Sequence, residues 1–459
     1  MKFPLHPETP ASRALAILCA AQFALFAPAH VFLFADMMPL DMLVAALVTG
    51  AMFALWRRGG LVSTAILGAA LVPVWTPPAI LYFDAYPWAC AAALAVAVGA
   101  AATVRQKPFV RLLSAGLVFA AGMAACTLWT MLPPGEDDFA RLRASLGDAG
   151  RLVFDARTRP DYDHIRHVRV DPTRRRLFVS RGFDWESKRD GVFAIDLDTG
   201  AITPIGATPA QAMVIDPERR RLLVGHFRSG RLVAYDLDTL APVADAPIRR
   251  PILFIPDREG RSFWMLGERH PVVTRWGFEG LYPIVPSANL GRLLAADMTV
   301  SEERGLAWTA SNRMSPFNRI VELDLERLAI RREASLGFAP TRSIVVDERR
   351  GVLYLAHPLP GSIEVLDLAD LRYARSRSGV VGAYPLVYDP ASDTLFVASY
   401  STGQLLRIDA ESGAVTWSAY VGRRARGLTL DAEHRTLYGT SALGVYLIDL
   451  ERIASRALH

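Results

Sequence analysis

The sequence of 459 residues predicts an N-terminal all-α transmembrane bundle of about five helices, followed by an all-β seven-bladed β-propeller with N/C strand closure. A local pattern that occurs seven times between Asp171 and Asp449 predicts the propeller. Long apolar stretches before residue 134 predict the bundle, and an isolated strand-like segment before the first repeat predicts how the ring closes. The expected domains are a transmembrane helical domain over 1–133, a linker over 134–149 and the propeller over 150–459.

The repeated pattern joins an acidic turn to a β-branched or aromatic run and then to a third strand that usually ends in Asp. Its clearest copies read VDPTRRRLFVS from Val170, IDPERRRLLVG from Ile215, VDERRGVLYLA from Val346 and YDPASDTLFVA from Tyr388. The turn anchors, 41 to 46 residues apart, are Asp171, Asp216, Asp257, Ser301, Asp347, Asp389 and Asp431. In β-rich sequence this period indicates propeller blades, which bury their apolar faces only by stacking around an axis.

The pieces D-P-x-x-R-x-L-F/Y-V and V-x-x-I-D-x-x-T-G resemble the repeats of bacterial YVTN-type seven-bladed propellers, which are akin to NHL and quinoprotein-like repeats. The resemblance covers roughly residues 150–459. It implies the seven-bladed architecture. It does not imply a function, because propellers of this kind serve as enzymes, binding modules and scaffolds. The sequence has no GH...WD pairing, which disfavours the WD-repeat variant.

Ring closure is predicted from the two ends of the repeat region. The last unit ends after its third strand at GVYLIDLER, and the segment RLVFDAR at 151–157 precedes the first unit without a partner of its own. We expect this segment to form the outer strand of the seventh blade, which would leave few exposed sheet edges.

The apolar stretches before residue 134 have the length of membrane spans, which need about 20 residues each. The predicted spans are 14–35, 40–56, 60–77, 87–104 and 109–132, and prolines interrupt the third. Arg13, the Arg57 and Arg58 pair, and the basic group at 105–111 alternate with acidic loops, which predicts a cytoplasmic N-terminus and an extracytoplasmic propeller. A cleaved signal peptide with APA at 27–29 is the alternative for the first span, and the remaining four spans would still export the propeller.

Composition excludes several functions. The sequence pI is 9.2, yet residues 134–459 carry 44 basic and 42 acidic side chains, so no nucleic-acid binding is predicted. Cys19, Cys90 and Cys126 all fall in predicted spans, so the propeller has neither a disulfide framework nor thiol chemistry. No acidic residue falls in the middle of a span, which disfavours a transporter.

Candidate ligand-binding residues come from the repeat itself, at one end of the central channel. The positions five residues before each anchor begin the innermost strands, and they are Arg166, Gln211, Arg342, Tyr384 and Arg426, with Ile252 and Ala296 completing the ring. The loops after the second strands contribute Arg181, His226, Asn312, His357 and Tyr400. Three arginines and two histidines at one mouth would clamp a carboxylate, phosphate or sulfate. The alternative is a structural role in which neighbouring carboxylates pair with the arginines.

The sequence therefore favours a membrane-anchored extracytoplasmic module for binding, sensing or interaction, with an anionic ligand at the mouth, over a catalyst. We expect the N-terminal helices to lie in the lipid bilayer of a bacterial cell membrane. The other expected partner is a membrane or periplasmic protein. Two long loops at 181–191 and 311–319 suit such a protein contact.

The alternative function is a propeller hydrolase or lactonase, or a quinoprotein-like oxidoreductase, at the same mouth. The family resemblance implies Glu, Asn and Asp ligands to a divalent cation for the lactonases. Glu268, Asp297 and Asn312 have suitable oxygens, but nothing in the sequence places them at a common depth. No nucleophile elbow, P-loop, HExxH or CxxC motif occurs after residue 133, so we predict no catalytic residue, metal or cofactor.

Overall fold

Seven antiparallel sheets of four strands form a closed ring in the computed structural model of the protein. The structure describes residues 134–454, apart from gaps at 159–164, 182–190, 207–209, 228, 268–271, 286–287, 292, 294, 313–317, 338 and 359–360. The predicted transmembrane spans and the three cysteines lie outside the described residues. Within those residues, no helix has the length and apolar character needed to cross a membrane.

Helix α1 (Glu136–Leu146), a short 3-10 helix (Gly147–Ala149) and strand β1 (Gly150–Asp155) precede the first blade. The strands of blades one to three are β2 (Ile165–Asp171), β3 (Arg176–Arg181), β4 (Gly191–Asp196), β5 (Ile202–Ile205), β6 (Ala210–Asp216), β7 (Arg221–His226), β8 (Arg231–Asp236), β9 (Pro242–Pro247), β10 (Pro251–Pro256), β11 (Ser262–Gly267), β12 (Val272–Gly277) and β13 (Ala288–Asn289). In these blades the strands run from the innermost to the outermost in chain order.

Blades four to six repeat this order. Blades four to six contain β14 (Ala295–Ser301), β15 (Leu306–Ser311), β16 (Asn318–Asp324), β17 (Ala329–Gly337), β18 (Ser343–Asp347), β19 (Val352–His357), β20 (Ser362–Asp367), β21 (Tyr373–Ser378), β22 (Ala383–Asp389), β23 (Thr394–Ser399), β24 (Gln404–Asp409) and β25 (Val415–Tyr420). Blade seven contains β26 (Leu428–Asp431), β27 (Thr436–Ser441) and β28 (Gly444–Asp449), and helix α2 (Leu450–Ala454) follows it.

Strand β1 is the outermost strand of blade seven, as the sequence predicted. It pairs antiparallel with β28, so Gly150 lies opposite Ile448 and Asp155 opposite Gly444. An apolar cluster seals the junction with blade one and includes Phe154, Phe193 and Val445, each at most 2% exposed. The ring therefore closes through hydrogen bonds between the two ends of the propeller sequence.

The anchor residues stabilise the turns between the first and second strands. Asp171 Oδ1 accepts a hydrogen bond from the Arg174 amide at 3.2 Å, and Asp347 Oδ1 accepts one from the Arg350 amide at 3.1 Å. Ser301 Oγ does the same for the Arg304 amide at 3.2 Å. These side chains satisfy backbone donors that the turn would otherwise leave without partners, which explains why each unit begins with a short polar residue.

The segment predicted as a linker is helical. Acidic residues fill the first turn of α1, where they suit the positive end of the helix dipole, and Phe139, Leu142 and Leu146 are buried along one face. Tyr420 at the end of β25 donates its hydroxyl to Asp138 Oδ1 at 2.5 Å and its amide to Ser145 Oγ at 2.7 Å. Helix α1 thus packs onto blade six and is part of the propeller domain.

A bulge near the start of the innermost strand positions the candidate site. In blades one, two, three, four and six the pairing register between the first and second strands shifts at this point. The residue five before each anchor lies within the shift in these five blades. In blades five and seven the equivalent residues lead into the strand, with the Arg342 amide bonded to Ala356 O at 3.0 Å and the Arg426 amide to Thr440 O at 3.3 Å.

Candidate anion site at the mouth

The two sets of predicted site residues lie at the same end of the ring. Ile165 pairs with Arg181, and Ala383 pairs with Ser399, so the innermost strands begin where the second strands end. We call this end the mouth, and the segments that join second to third strands the mouth loops. The shared location follows from antiparallel pairing within each blade.

Four predicted residues from three consecutive blades form a continuous row at the mouth. The Arg342 guanidinium lies 5.2 Å from the centroid of the Tyr384 ring, and the Arg426 guanidinium lies 5.1 Å from that of Tyr400. The centroids of the two tyrosine rings are 5.7 Å apart. Arg426 also donates a hydrogen bond from Nη2 to the Tyr400 hydroxyl at 3.0 Å. We call Arg342, Tyr384, Tyr400 and Arg426 the arginine–tyrosine row.

The two arginines of the row differ in their burial and in their contacts. Arg426 is 7% exposed and Tyr400 is 1% exposed, so this end of the row is buried. Arg342 is only partly buried, and among the described residues no carboxylate pairs with it. The faces of the tyrosine rings attract the guanidinium groups electrostatically and offset part of the repulsion between them. A charge held in this way stays available to an anion.

A second basic group lies on β2 in blade one. Arg166, from the predicted set, is 8% exposed. Burial lowers the pKa of the neighbouring His167 well below its ordinary value, and the charges of Arg166, Arg169 and Arg426 lower it further. His167 is therefore neutral near pH 7. Because Arg166 and Arg426 both act on one imidazole, the basic end of the row continues from blade seven into blade one.

Asp297 in the bulge of β14 introduces a carboxylate among the innermost strands. Burial raises its pKa to about 6, although the Ile344 amide, the Ser343 hydroxyl and the Met298 amide all donate hydrogen bonds to it. The positive charge of Arg169 also opposes the increase. Since Ser343 and Ile344 belong to β18, Asp297 links the innermost strands of blades four and five.

The two predicted histidines contact groups inside the protein. His226 is 2% exposed, and its Nε2 lies 3.4 Å from the Tyr235 hydroxyl of the same blade. His357 is fully buried, with Nδ1 at 3.2 Å from Pro340 O and Nε2 at 3.1 Å from Glu364 Oε2. The distance between His357 Nε2 and Glu364 Oε2 is that of an ion pair, but the two atoms do not have the geometry of a hydrogen bond. Both histidines are thus held by groups in the protein interior.

For the remaining predicted residues, the strand pairing and the strand ends give the position in the fold. Gln211, Ile252 and Ala296 occupy the bulges of β6, β10 and β14, and the side chain of Gln211 lies outside the described part of the structure. Arg181 ends β3, next to the gap at 182–190, and Asn312 follows β15, next to the gap at 313–317. Most of both long loops, and Glu268, fall in such gaps.

Sequence reasoning missed His167, Arg169 and the position of Asp297 in the channel wall. The prediction took only the residue five positions before each anchor, so it selected one position per strand. The signal for the other two lies in IRHVRVD, where His167 and Arg169 are two residues apart and therefore lie on the same side of β2. The described residues contain no group of three or more His, Cys, Asp and Glu side chains arranged to hold a metal ion.

Comparison with known proteins supports the fold alone. No family model matches the chain, and no curated protein matches it. A solved structure of Kuenenia stuttgartiensis hydrazine synthase is similar, with a TM-score of 0.50 and 12% sequence identity over 63% of this chain and 96% of that one. The fold is a seven-bladed β-propeller. At this identity the similarity carries no information on ligand or activity.

Proposed function

We propose that the protein is a membrane-anchored extracytoplasmic binding module whose β-propeller takes an anionic ligand at its mouth. The observation that carries this proposal is Arg342, which stacks on Tyr384 and has no carboxylate partner among the described residues. Membrane anchoring rests on the apolar spans and on the alternation of basic and acidic loops in the sequence.

The electrostatics of the mouth favour an anion over a neutral or cationic ligand. Arg342, Arg426 and Arg166 all lie at the starts of innermost strands, while neutral His167 adds no charge. Like charges near a concave surface repel each other, and an anion that bridges them relieves this repulsion through charge-assisted hydrogen bonds. A planar guanidinium suits the paired oxygens of a carboxylate or a phosphate.

Calorimetric titration and thermal unfolding of the full chain in an uncharged detergent would test the proposal, with phosphate, sulfate and small carboxylates as probes. An anion that binds the folded state alone stabilises it by about 2.7 kcal/mol at a hundredfold excess over its Kd. We expect Arg342→Ala to weaken binding at least tenfold, and to leave the stability of the unliganded protein nearly unchanged. Arg327→Ala is the matched control, because that side chain is 79% exposed and lies at an outer turn.

Two results would contradict the proposal. One is the absence of stabilisation by any of the anions in the wild-type protein. The other is an Arg342→Ala protein that binds anions normally but unfolds much more readily, since this would assign Arg342 to the stability of the fold.

A further inference from the structure

A short segment at 420–426, which we call the crossing segment, joins two regions at the mouth end of the ring. It begins at Tyr420, the last residue of β25, which pairs with Gln404 where β24 leaves the mouth loop of blade six. It ends at Arg426, which belongs to the arginine–tyrosine row and leads into β26 of blade seven. The crossing segment therefore connects the outermost strand of blade six with the buried end of the row.

Helix α1 holds the outer end of the crossing segment through one carboxylate. Asp138 Oδ1 accepts the Tyr420 hydroxyl at 2.5 Å, and Asp138 Oδ2 lies 3.5 Å from Arg423 Nη2. The Arg141 guanidinium lies 4.2 Å from the centroid of the Tyr420 ring. Burial raises the pKa of Asp138, but the hydrogen bonds that this carboxylate accepts and the charge of Arg423 outweigh burial and lower the pKa below its ordinary value. Asp138 is thus charged near pH 7 and binds two residues of the crossing segment.

The inner end of the crossing segment bonds to a residue of the row. The Arg424 amide donates a hydrogen bond to Tyr400 O at 2.7 Å, and Arg426 Nη2 donates one to the Tyr400 hydroxyl at 3.0 Å. Within the segment, Gly422 has φ of 99° and Arg424 has φ of 60°. A residue with a side chain adopts this left-handed conformation at a cost and keeps it only where neighbouring contacts hold it. The path of the crossing segment, and with it the position of Arg426, therefore depends on the contacts at both of its ends.

We infer that helix α1 positions Arg426 for anion binding, with Asp138 as the positioning residue. This inference rests on the proposed anion-binding function. Loss of the Asp138 contacts frees the outer end of the crossing segment, so Arg426 occupies several positions and the row binds an anion less tightly. A bound anion in turn favours the docked helix, because a coupling between two sites acts equally in both directions. Since α1 is the first element after the last predicted span, such a response of α1 to a ligand suits a sensing role.

Two substitutions test the inference by calorimetric titration of the full chain in an uncharged detergent, with phosphate, sulfate and acetate as probes. Asp138→Ala removes the contacts from the side of the helix, and Tyr420→Phe removes the hydroxyl from the other side without a change in charge. We expect each substitution to weaken the binding of the anions at least fivefold, while the thermal unfolding of the unliganded protein stays nearly unchanged. The double variant should bind about as tightly as the weaker single variant, because both substitutions break the same link.

Asp137→Ala is the matched control for the charge of Asp138. It removes an equal charge from the same turn of α1, and the Asp137 side chain is exposed. Removal of a negative charge near a basic site by itself strengthens the binding of an anion. The effect of charge and the effect of positioning therefore have opposite signs. Asp138→Ala should weaken binding, whereas Asp137→Ala should leave it unchanged or slightly tighter.

Hydrogen exchange of the full chain in the same detergent measures the coupling in the other direction. A saturating concentration of the anion should slow the exchange of the α1 amides several-fold in the wild-type protein, and the slowing should be smaller in Tyr420→Phe. Strand β9 of blade two is the internal reference, because it reports the general stabilisation that any ligand of the folded state causes.

Normal anion binding by both Asp138→Ala and Tyr420→Phe would overturn the inference and leave α1 as an anchor alone. Tighter binding by Asp138→Ala would overturn it as well, because the carboxylate would then act through its charge. Exchange in α1 that does not respond to a bound anion would contradict the coupling. If Asp138→Ala does not fold, Tyr420→Phe and hydrogen exchange decide the question. Failure of every anion to bind to the wild-type protein would instead contradict the proposed function.

Discussion

At the residue scale, Asp297 shows how burial and hydrogen bonding compete. Three donors favour the carboxylate form, and the charge of Arg169 favours it too, yet loss of hydration raises the pKa to about 6. Loss of hydration of the Asp297 carboxylate therefore outweighs several good hydrogen bonds. Asp297 holds a proton in the folded protein at pH values where it has lost the proton in the unfolded chain.

This difference predicts a change in stability with pH. Between an unfolded pKa of 3.8 and a folded pKa of about 6, only the folded state retains the proton, so the free energy of unfolding should decrease as the pH rises through this window. One unit corresponds to about 1.4 kcal/mol, which gives a total of about 3 kcal/mol. Asp297→Asn keeps an oxygen acceptor for Ser343 and Ile344 and should remove this decrease.

Urea unfolding of both proteins between pH 4 and 7.5 would measure the effect. Other groups titrate in the same range, so the quantity of interest is the difference between the two curves. Parallel curves would show that Asp297 has its ordinary pKa in the folded state.

At the element scale, the bulge of the innermost strand repeats in position although not in sequence. It contains Arg166 in blade one, Ala296 in blade four and Tyr384 in blade six. The extra residue of a bulge disrupts regular pairing and turns side chains from their usual direction. The same backbone feature therefore presents a different side chain at the mouth from each blade.

Gly444 lies at a close approach between the two strands that close blade seven. Gly444 has φ of 134°, and a Cβ atom there would lie 1.9 Å from Phe154 O in β1. We expect Gly444→Ala to lower the free energy of unfolding by about 3 kcal/mol or more, because strand β1 must move away from β28. Gly413 is the matched control, since it has φ of 69° and no atom within 4 Å of a Cβ. Its replacement by Ala should cost only about 1 kcal/mol, from backbone strain alone.

Chemical unfolding of the two variants would measure both effects. Equal losses of stability would mean that the close approach of β1 to Gly444 contributes nothing, and that closure tolerates a side chain at this point.

At the scale of the whole molecule, the orientation of the chain in the membrane stays a prediction from the sequence. A reporter that is active only outside the cytoplasm should be active when fused after His459, because the positive-inside rule places the basic loops in the cytoplasm. The same reporter fused after Arg58, in a predicted cytoplasmic loop, should be inactive. Activity of a cytoplasm-specific reporter at the C-terminus would contradict five crossings.

The propeller could be predicted from the sequence because its signals are local and repeated. Each anchor caps a turn with its own side chain, and the period and the unpaired segment at 151–157 follow from reading the chain in order. The register of the innermost and second strands was enough to place Arg342, Tyr384, Tyr400 and Arg426 at one end of the ring, whereas the contacts of the two arginines with the two tyrosines were not predicted.

Other features depend on contacts between blades and could not be read from one repeat. The pKa of Asp297 depends on donors from β18, and the partners of His357 come from Pro340 and Glu364. Helix α1 could have been predicted from the sequence, because Phe139, Leu142 and Leu146 have helical spacing in EDDFARLRASL.

The pairing of β1 with β28 also has a consequence for the time course of folding. Gly150 emerges from the ribosome before any blade exists, whereas its partner Ile448 belongs to the last strand of the ring. The hydrogen-bonding edge of β1 therefore stays unpaired until β28 has been synthesised. Contacts between segments so distant in sequence form slowly, and an unpaired strand edge is prone to pair with the wrong strand. Synthesis of the final strand, rather than of the first blade, sets the earliest moment at which the mouth can bind a ligand.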